Sequence, residues 1–467
     1  MDINFLKGKK IGITALDLEQ LEHRGIAAVT KSLIQLLNKY GAELYLITGL
    51  RSKRSGIFLK RFITQKLLSE IYISDILSEL QGGINYREKF QKDLLYKLKL
   101  VIILITRIFN LFLNNFKINY KLFLINDSHK LINIYDKRLE YIKDIKGLIV
   151  AKNIFELTRL RSMRILPRTP KISINKSELD LIIASSPLSI RNKSREHSNL
   201  IQLIHDAIPI QVSKHPENPI TFYNKLRDAH RYSRCLYVSN ESKRIVRDIL
   251  EIKNIQEVPN DILYPLPSLS LELLNEAKNI ERIRSIDKPF ILFNSSIVER
   301  KRVENAVSYF NKSTLNDNNF ILCIAGKLHN NKYCEYIKDL CKENKNIFLL
   351  DYVNELEKVW LFLNSSLLIS TSSAEGFGVP VLDAVSINLP CLATNLPTYR
   401  EIKDLGNSNK LTLLNQNANF SWIENLNKVK KFKFENSEKK LERIEYFKNF
   451  LNKLEHKVLL NINSHFD

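Results

Sequence analysis

Residues 370–384 read STSSAEGFGVPVLDA, and the reading of the whole chain turns on them. The apolar run Leu367–Ser370 before them is strand-like, and Val379 onward has the spacing of a helix, so the glycines lie in a strand-to-helix turn. The exposed N–H groups that open such a helix form a natural anion site, and Gly376 and Gly378 let a ligand approach the backbone closely. Two of only 13 glycines within three positions mark the turn as a built feature. Glu375 would face whatever lies in the loop, with Asp383 one to two turns into the helix. Two carboxylates beside an anion turn suit hydroxyl groups carried by a phosphate-bearing ligand, one on a sugar and one on a ribose. The plainer alternative is a capped turn in which Asp383 complements the helix dipole.

Outward from this turn the sequence alternates strands and helices. Phe290–Asn294, Phe320–Ala325, Ile347–Leu350, Leu367–Ser370 and Cys391–Ala393 read as strands, with helical stretches from Val303, Lys332, Glu355 and Val379 between them. That rhythm specifies a doubly wound parallel sheet. The amino-terminal part begins in the same way. A strand at Lys10–Leu16 leads through Arg24-Gly25 to a helix with Ile26, Val29, Leu33, Leu36, Leu37 and Tyr40 on one face, then to a strand at Glu43–Thr48. Further strands are expected at Leu179–Ala184, Leu200–Ile204 and Cys235–Val238. A proline cluster, Pro259, Pro265 and Pro267, marks the linker region. We therefore expect an acceptor-side Rossmann-like domain over 1–270, carrying a basic insert at about 51–170 of helices and irregular connections. A second, nucleotide-binding domain is expected over 271–436. Residues 437–467 form a last helix, capped by Ser437, with Leu441, Ile444, Phe447, Leu451 and Leu454 on one face, packing back on the first domain. Ligands of such sheets sit at the carboxyl ends of the strands, so two sheets facing each other would enclose a cleft.

Composition narrows the function. The 467 residues are 44% apolar and 26% charged, which excludes collagen-like and wholly disordered chains. Five scattered cysteines show no metal-binding spacing and suit a reducing, cytoplasmic setting. The net charge is +21, and residues 51–170 hold 24 Lys/Arg against 10 Asp/Glu, so a quarter of the chain carries two-thirds of the excess. A surface of that kind attracts acidic headgroups, phosphorylated substrates or nucleic acid, although a general Lys, Asn and Ile bias also raises the total. No secretory leader is evident at the amino terminus. Leu98–Leu113, interrupted by Lys99 and Arg107, is too short and too charged to span a membrane; it suits a buried or surface-lying amphipathic helix.

The motif E-G-F-G-x-P-x-L-(E or D)-A at Glu375–Ala384 resembles the signature of glycosyltransferase family 4, retaining enzymes of the GT-B fold, including its mannosyltransferase-like members. The resemblance implies that Glu375, with Gly376 and Phe377, contacts the donor sugar, that Asp383 contacts the ribose, and that Gly378 and Val379 meet the diphosphate. Ser296-Ile-Val-Glu-Arg-Lys-Arg302 is similar to the family's E-x-R-K-N turn, which assigns Arg300 and Lys301 to the diphosphate; Arg302 stands where Asn is common, and Ser295 where some relatives carry a further basic residue. Leu203-Ile-His-Asp-Ala-Ile-Pro209 resembles the H-D-x-x-P turn and assigns His205, with Glu375, to the reacting sugar. Arg24-Gly25-Ile-Ala resembles the family's N-terminal glycine loop, with Gly25 near the diphosphate. Asp351-Tyr352-Val353 resembles a segment beside the nucleotide base, with Val353 as the contact and Asp351 replacing the usual glycine.

The resemblance implies a metal-independent hexosyltransferase of GT-B fold, two Rossmann-like domains facing each other across a cleft. Its donor is a nucleotide diphosphate-sugar and its acceptor a glycan or lipid-linked glycan, in cell-surface polysaccharide assembly. It has no separate cofactor, and no D-x-D motif occurs. A cytoplasmic chain, peripheral on the inner face of an anionic membrane, fits the charge. Two other classes remain open from sequence alone: a catalytically silent GT-B subunit supporting a partner enzyme, and a basic nucleic-acid binder, against which no recognised nucleic-acid module is present.

Overall fold

The computed structural model describes residues 3–20, 25–50, 64–81, 105–106, 108–126, 137–172, 174, 178–192, 199–212, 215–252, 261–281, 283–284, 286–430 and 437–464. The chain forms two compact units, one of Met1–Tyr237, Ile245–Leu263 and Leu459–Asp467, the other of Val238–Arg244 and Tyr264–Val458. The division thus falls at Leu263/Tyr264, and the short stretch after the first unit's last strand is counted with the second.

The first unit contains β1 (Lys10–Thr14), β2 (Glu43–Thr48), β3 (Lys117–Ile118), β4 (Lys121–Leu124), β5 (Ile145–Val150), β6 (Lys171–Ile172), β7 (Leu181–Ala184), β8 (Arg191–Asn192), β9 (Leu200–Ile204) and β10 (Arg234–Tyr237). Seven of them build one sheet in the order β10-β9-β7-β1-β2-β5-β4, parallel except for β4, which pairs antiparallel with β5 at the edge. β3, β6 and β8 form a small parallel sheet of their own. The central strands are apolar and buried along their length, as strands covered on both faces must be. The helix Gly25–Lys39 lies between β1 and β2 and buries Val29, Leu33, Leu36 and Leu37, the periodic residues of the sequence. Residues 51–170 are not a simple insertion. They supply β5, a parallel strand paired with β2 and so part of the sheet's core, and the edge strand β4.

The second unit contains β11 (Phe290–Asn294), β12 (Ile321–Ala325), β13 (Ile347–Asp351), β14 (Leu367–Ser370), β15 (Cys391–Thr394) and β16 (Leu411–Leu414). All pair in parallel, in the order β13-β12-β11-β14-β15-β16. The chain winds outward from β11 to one edge, returns to the centre at β14 and winds to the other, so the order reverses between β11 and β14. In the first unit the corresponding reversal lies between β1 and β7. Both Rossmann-like units of the GT-B class are therefore present. Sequence-encoded caps fix the helices around the second sheet. Asn331 caps Lys332–Lys342, and Asn354 with Glu357 makes a reciprocal capping box on Glu355–Asn364. The final helix, Ser437–Asn463, buries Ile444, Phe447 and Leu454 as expected, but Leu441 of the same face is 51% exposed because the helix is only beginning there.

Candidate active site

The reversal point of the second sheet brings a buried charged cluster together. After β11 the backbone runs into a short 3-10 turn, Glu299–Lys301, and then the helix Val303–Lys312; after β14 it runs through Thr371–Gly378 into the helix Val379–Ser386. Because β11 and β14 are paired, their two loops leave the sheet side by side. They are stitched by backbone and hydroxyl bonds. The Ser373 amide (2.8 Å) and hydroxyl (3.0 Å) donate to the Arg300 carbonyl, and the Thr371 hydroxyl donates to the carbonyls of Lys301 (3.0 Å) and Arg302 (2.7 Å).

Side chains complete the cluster. Arg300 Nη1 donates to Glu375 Oε2 at 3.0 Å and to the Ala374 carbonyl at 2.8 Å, while Lys301 Nζ donates to Glu375 Oε1. The side chains of Lys301 and Glu375 are only 6% and 7% exposed, that of Arg300 24%. Burial by itself would raise the Glu375 pKa, but Lys301 and then Arg300, with hydrogen bonds from Lys301 and Ser372, outweigh it and hold the carboxyl at about 2. Glu375 is therefore a fixed anion and a hydrogen-bond acceptor. Tyr399 donates its hydroxyl to Glu375 Oε1 at 3.3 Å and meets the Ser370 hydroxyl at 2.8 Å. Burial and the neighbouring Glu375 push the phenol pKa far up, so it remains a neutral donor.

The glycine loop is set from both sides. Gly378 has φ = 99°, open to glycine, and a Cβ there would lie 2.3 Å from Tyr399 Cε1. The Gly376 carbonyl accepts from the hydroxyls of Ser239 (2.9 Å) and Ser242 (3.0 Å). Phe377 is 4% exposed and its ring packs against Tyr264, so only its backbone can reach a ligand. The amides of Val381 and Leu382 bond to the Gly378 carbonyl, and Pro380 has no N–H. The Gly378 and Val379 amides have no acceptor among the described residues and are the helix donors available to an anion.

Asp383 is placed apart from this cluster. It is 1% exposed, and both of its oxygens are held by Ser268, Oδ1 by the backbone amide at 2.6 Å and Oδ2 by the hydroxyl. Burial pushes its pKa up to about 6 despite Lys358 and those hydrogen bonds. Val353 is half-buried beyond the end of β13. Asp351, where the resemblance leads one to expect glycine, has φ = 56° and uses Oδ1 to accept the Leu328 amide at 2.9 Å. Arg302, in place of the usual Asn, has φ = 50°. Both substitutions thus fall where the backbone is left-handed, which explains why Gly and Asn are common there. His205 and Gly25 belong to the first unit. His205 follows β9 with Nε2 2.7 Å from the Ser185 carbonyl; Gly25 is the exposed first residue of its helix, with open space where a Cβ would stand, and Arg24 lies outside the described residues. Sequence reading missed Tyr399, Ser268, Ser239 and Ser242. The serine and threonine run 370–373 was inside the quoted stretch, but nothing local to the other four points to the loop.

Among the described residues no group of three or more His, Cys, Asp or Glu is arranged to hold a metal. A cavity of about 980 Å³ opens elsewhere, at the amino ends of β14–β16, lined by Leu367, Cys391, Lys410, Lys428, Arg443 and Tyr446 among others. It is distant in topology from the glycine loop, and Arg443 there is already bonded to the carbonyls of Phe362, Leu363 and Ser365.

Residues 276–446 match the family model described as glycosyl transferases group 1. They form a glycosyltransferase domain. This domain holds every residue of the Arg300–Lys301–Glu375–Tyr399 cluster. Curated relatives include the serotype-specific mannosyltransferase WbdA of Escherichia coli, 28% identical over 116 residues, and the alpha-1,3/1,6-mannosyltransferase ALG2 of Candida glabrata, 25% identical over 176. Those matches cover 24% and 31% of this chain and only 14% and 38% of the relatives. Over nearly the whole length, 97% of both chains, the fold is similar to that of sucrose-phosphate synthase from Thermosynechococcus elongatus, with a TM-score of 0.56 at 10% identity. The glycosyltransferase domain therefore bears out the resemblance read from the glycine loop.

Proposed function

We propose that the chain transfers a hexosyl group, with retention at the anomeric carbon, from a nucleoside-diphosphate sugar to a glycan or lipid-linked glycan acceptor in surface polysaccharide assembly. The observation that carries this reading is the pair Arg300 and Lys301, buried on Glu375 at the reversal point of a glycosyltransferase domain. Without ligand, the Glu375 carboxylate is the counter-ion of both cations. A donor diphosphate brings two phosphates to the same place, where Arg300, Lys301 and the amides of Gly378 and Val379 neutralise charge that grows as the sugar departs. No metal is needed for that neutralisation. Glu375, ionised at any working pH, accepts a hydroxyl of the departing sugar and orients it. The acceptor oxygen bonds to the anomeric carbon while the anomeric carbon–phosphate oxygen bond breaks. The bonding pair leaves with the diphosphate, and the acceptor's proton passes to the leaving phosphate oxygen on the same face. Asp383 and Val353 are assigned to the ribose and base, Asp383 by exchanging Ser268 for a ribose hydroxyl, and His205 and Gly25 of the first unit to the reacting end of the donor. The mannosyl relatives make a mannosyl donor the first to try.

A lipid-linked acceptor met at an anionic membrane surface fits the first unit. Residues 105–106 and 108–113 are helical, and Ile105, Phe109, Phe112 and Leu113, one stripe at i, i+4, i+7 and i+8, are 48–69% exposed within the strongly basic segment. No described helix is long and apolar enough to cross a membrane. Thermal denaturation with UDP, GDP and ADP tests the donor reading: one nucleotide should raise the midpoint, and no shift with any of them at millimolar concentration would end it. Flotation with acidic vesicles at low salt tests the surface reading, which absence of binding would reject.

A further inference from the structure

The first unit has its own reversal point, between β1 and β7, and a polar cluster is built there that the donor chemistry leaves unused. Thr14, the last residue of β1, and Ser185, just past β7, are 3% and 1% exposed and bonded to each other: the Ser185 amide donates to the Thr14 hydroxyl at 3.0 Å, and the Ser185 hydroxyl lies 3.2 Å from the Thr14 carbonyl. The Ser185 hydroxyl also donates to Asp17 Oδ2 at 2.9 Å, and the Ser186 hydroxyl reaches the same oxygen at 3.1 Å. His205, past β9, is fixed by its Nε2 on the Ser185 carbonyl at 2.7 Å. A carbonyl can only accept, so Nε2 carries the hydrogen. The loops at the carboxyl ends of β1 and β7 thus meet on one carboxylate, and the loop after β9 is tied to the same Ser185.

The neighbouring Glu19 shows what a structural carboxylate does in this turn. It accepts the Thr48 hydroxyl (2.6 Å) and the Gly49 amide (2.8 Å), tying the turn to the end of β2. Asp17 differs. Both hydroxyls bind Oδ2, and no described residue donates to Oδ1. The side chain is half-buried, so Oδ1 is oriented by two serines yet open to a ligand. A lone carboxylate oxygen recognises a hydroxyl hydrogen and repels phosphate.

We infer that Asp17, held by Ser185 and Ser186 at the reversal point of the first unit, forms a hydroxyl-recognising subsite for the acceptor saccharide. This rests on the transferase reading above. It assigns the acceptor's neutral sugar, not its phosphate, to the ends of β1 and β7.

The test separates the two claims by measuring saccharide binding without turnover. Methyl α-D-mannoside and methyl α-D-glucoside are titrated against the full chain by saturation-transfer NMR, with the UDP, GDP or ADP thermal shift recorded on the same samples. At least one glycoside should bind the wild type. Asp17→Asn, which presents N–H in place of the acceptor oxygen, should weaken it by about tenfold or more, and Ser186→Ala, which frees Oδ2 from one of two restraints, by about two- to fivefold. The nucleotide shift should be unchanged in both variants, which also certifies their folding. Binding by Asp17→Asn equal to wild type, or no binding of either glycoside to the wild type, would overturn the inference. Loss of glycoside binding in Asp17→Asn without any nucleotide shift in the wild type would support the subsite and refute the donor reading instead.

Discussion

Lys301→Met is the most informative single perturbation, because the structure gives its size. Glu375 sits near 2 rather than 4.5, since Lys301 first and Arg300 second overcome the cost of burial. At 1.4 kcal/mol per tenfold, that displacement corresponds to about 3 kcal/mol of preference for the ionised, folded form. A carboxyl whose folded pKa is depressed lends its stability above the unfolded value and loses it as the pH falls through the folded one, so the contribution is complete at pH 7 and fades between about 4.5 and 2. Removing the lysine leaves a 7% exposed carboxylate facing Arg300 alone. The expected loss at pH 7 is about 3 kcal/mol, which at about 2 kcal/mol per molar urea moves the midpoint by about 1.5 M. The chain's two tryptophans, Trp360 and Trp422, are both buried in the second unit, so their fluorescence follows the unfolding of that unit. The double variant Glu375→Gln/Lys301→Met removes both charges and should recover most of the stability, because the cost lies in the orphaned charge. Sugar transfer should remain lost in both. A single variant as stable as wild type, or a double variant no better than the single, would refute the account of how Glu375 is held.

Asp383 should behave oppositely. Its pKa is raised by burial from 3.8 to about 6, so its contribution is full below pH 3.8 and is lost as the pH rises through 6. Asp383→Asn should therefore gain up to about 3 kcal/mol in urea at pH 7.5 and almost nothing at pH 3.5, while weakening nucleotide binding; equal gains at both pH values would contradict it. Arg302→Asn places a residue tolerant of φ = 50° in the left-handed position, at the expense of an exposed 3.6 Å bridge to Glu304, and should stabilise the second unit by about 0.5–1 kcal/mol. Gly326→Ala would put Cβ 1.6 Å from the Ser295 carbonyl oxygen, backbone that cannot yield, and should cost about 3 kcal/mol or more; a midpoint within 0.5 kcal/mol of wild type would show that the loops after β11 and β12 do not approach as described.

Much of the second sheet was legible because buried parallel strands are written as short apolar runs. Phe290–Asn294 and Leu367–Ser370 match the observed strands residue for residue. The strands that escaped are those whose surroundings hide the pattern. β16 is a half-buried strand of four residues. β5 lies in a stretch read for its charge, with Lys143 before it and Lys146 inside it, although five of its six residues are buried. At the site, Arg300, Lys301 and Glu375 were readable because they sit in two strand-to-helix turns, each a local pattern. Tyr399 and Ser268 were not. Their bonds to Glu375 and Asp383 close sequence separations of 24 and 115 residues, which no local spacing encodes.

A buried charge alone does not mark a site, as Arg443 shows. It is 4% exposed, yet its guanidinium ends on three carbonyls near a helix terminus, a set of partners that no ligand would replace. The cluster at β11 and β14 is built otherwise. Its cations end on a side-chain carboxylate that can share them, its adjoining amides at Gly378 and Val379 have no described acceptor, and left-handed non-glycine residues stand in its loop at Arg302 and at the end of β13 at Asp351. Some of these choices cost stability: the left-handed residues about 1 kcal/mol each, and Asp383 would be more stable as an amide. At the reversal of the strand order a left-handed Arg302, a buried ion cluster and helix amides without a described acceptor occur side by side, and that coincidence is what a binding requirement, unlike a packing requirement, would leave behind.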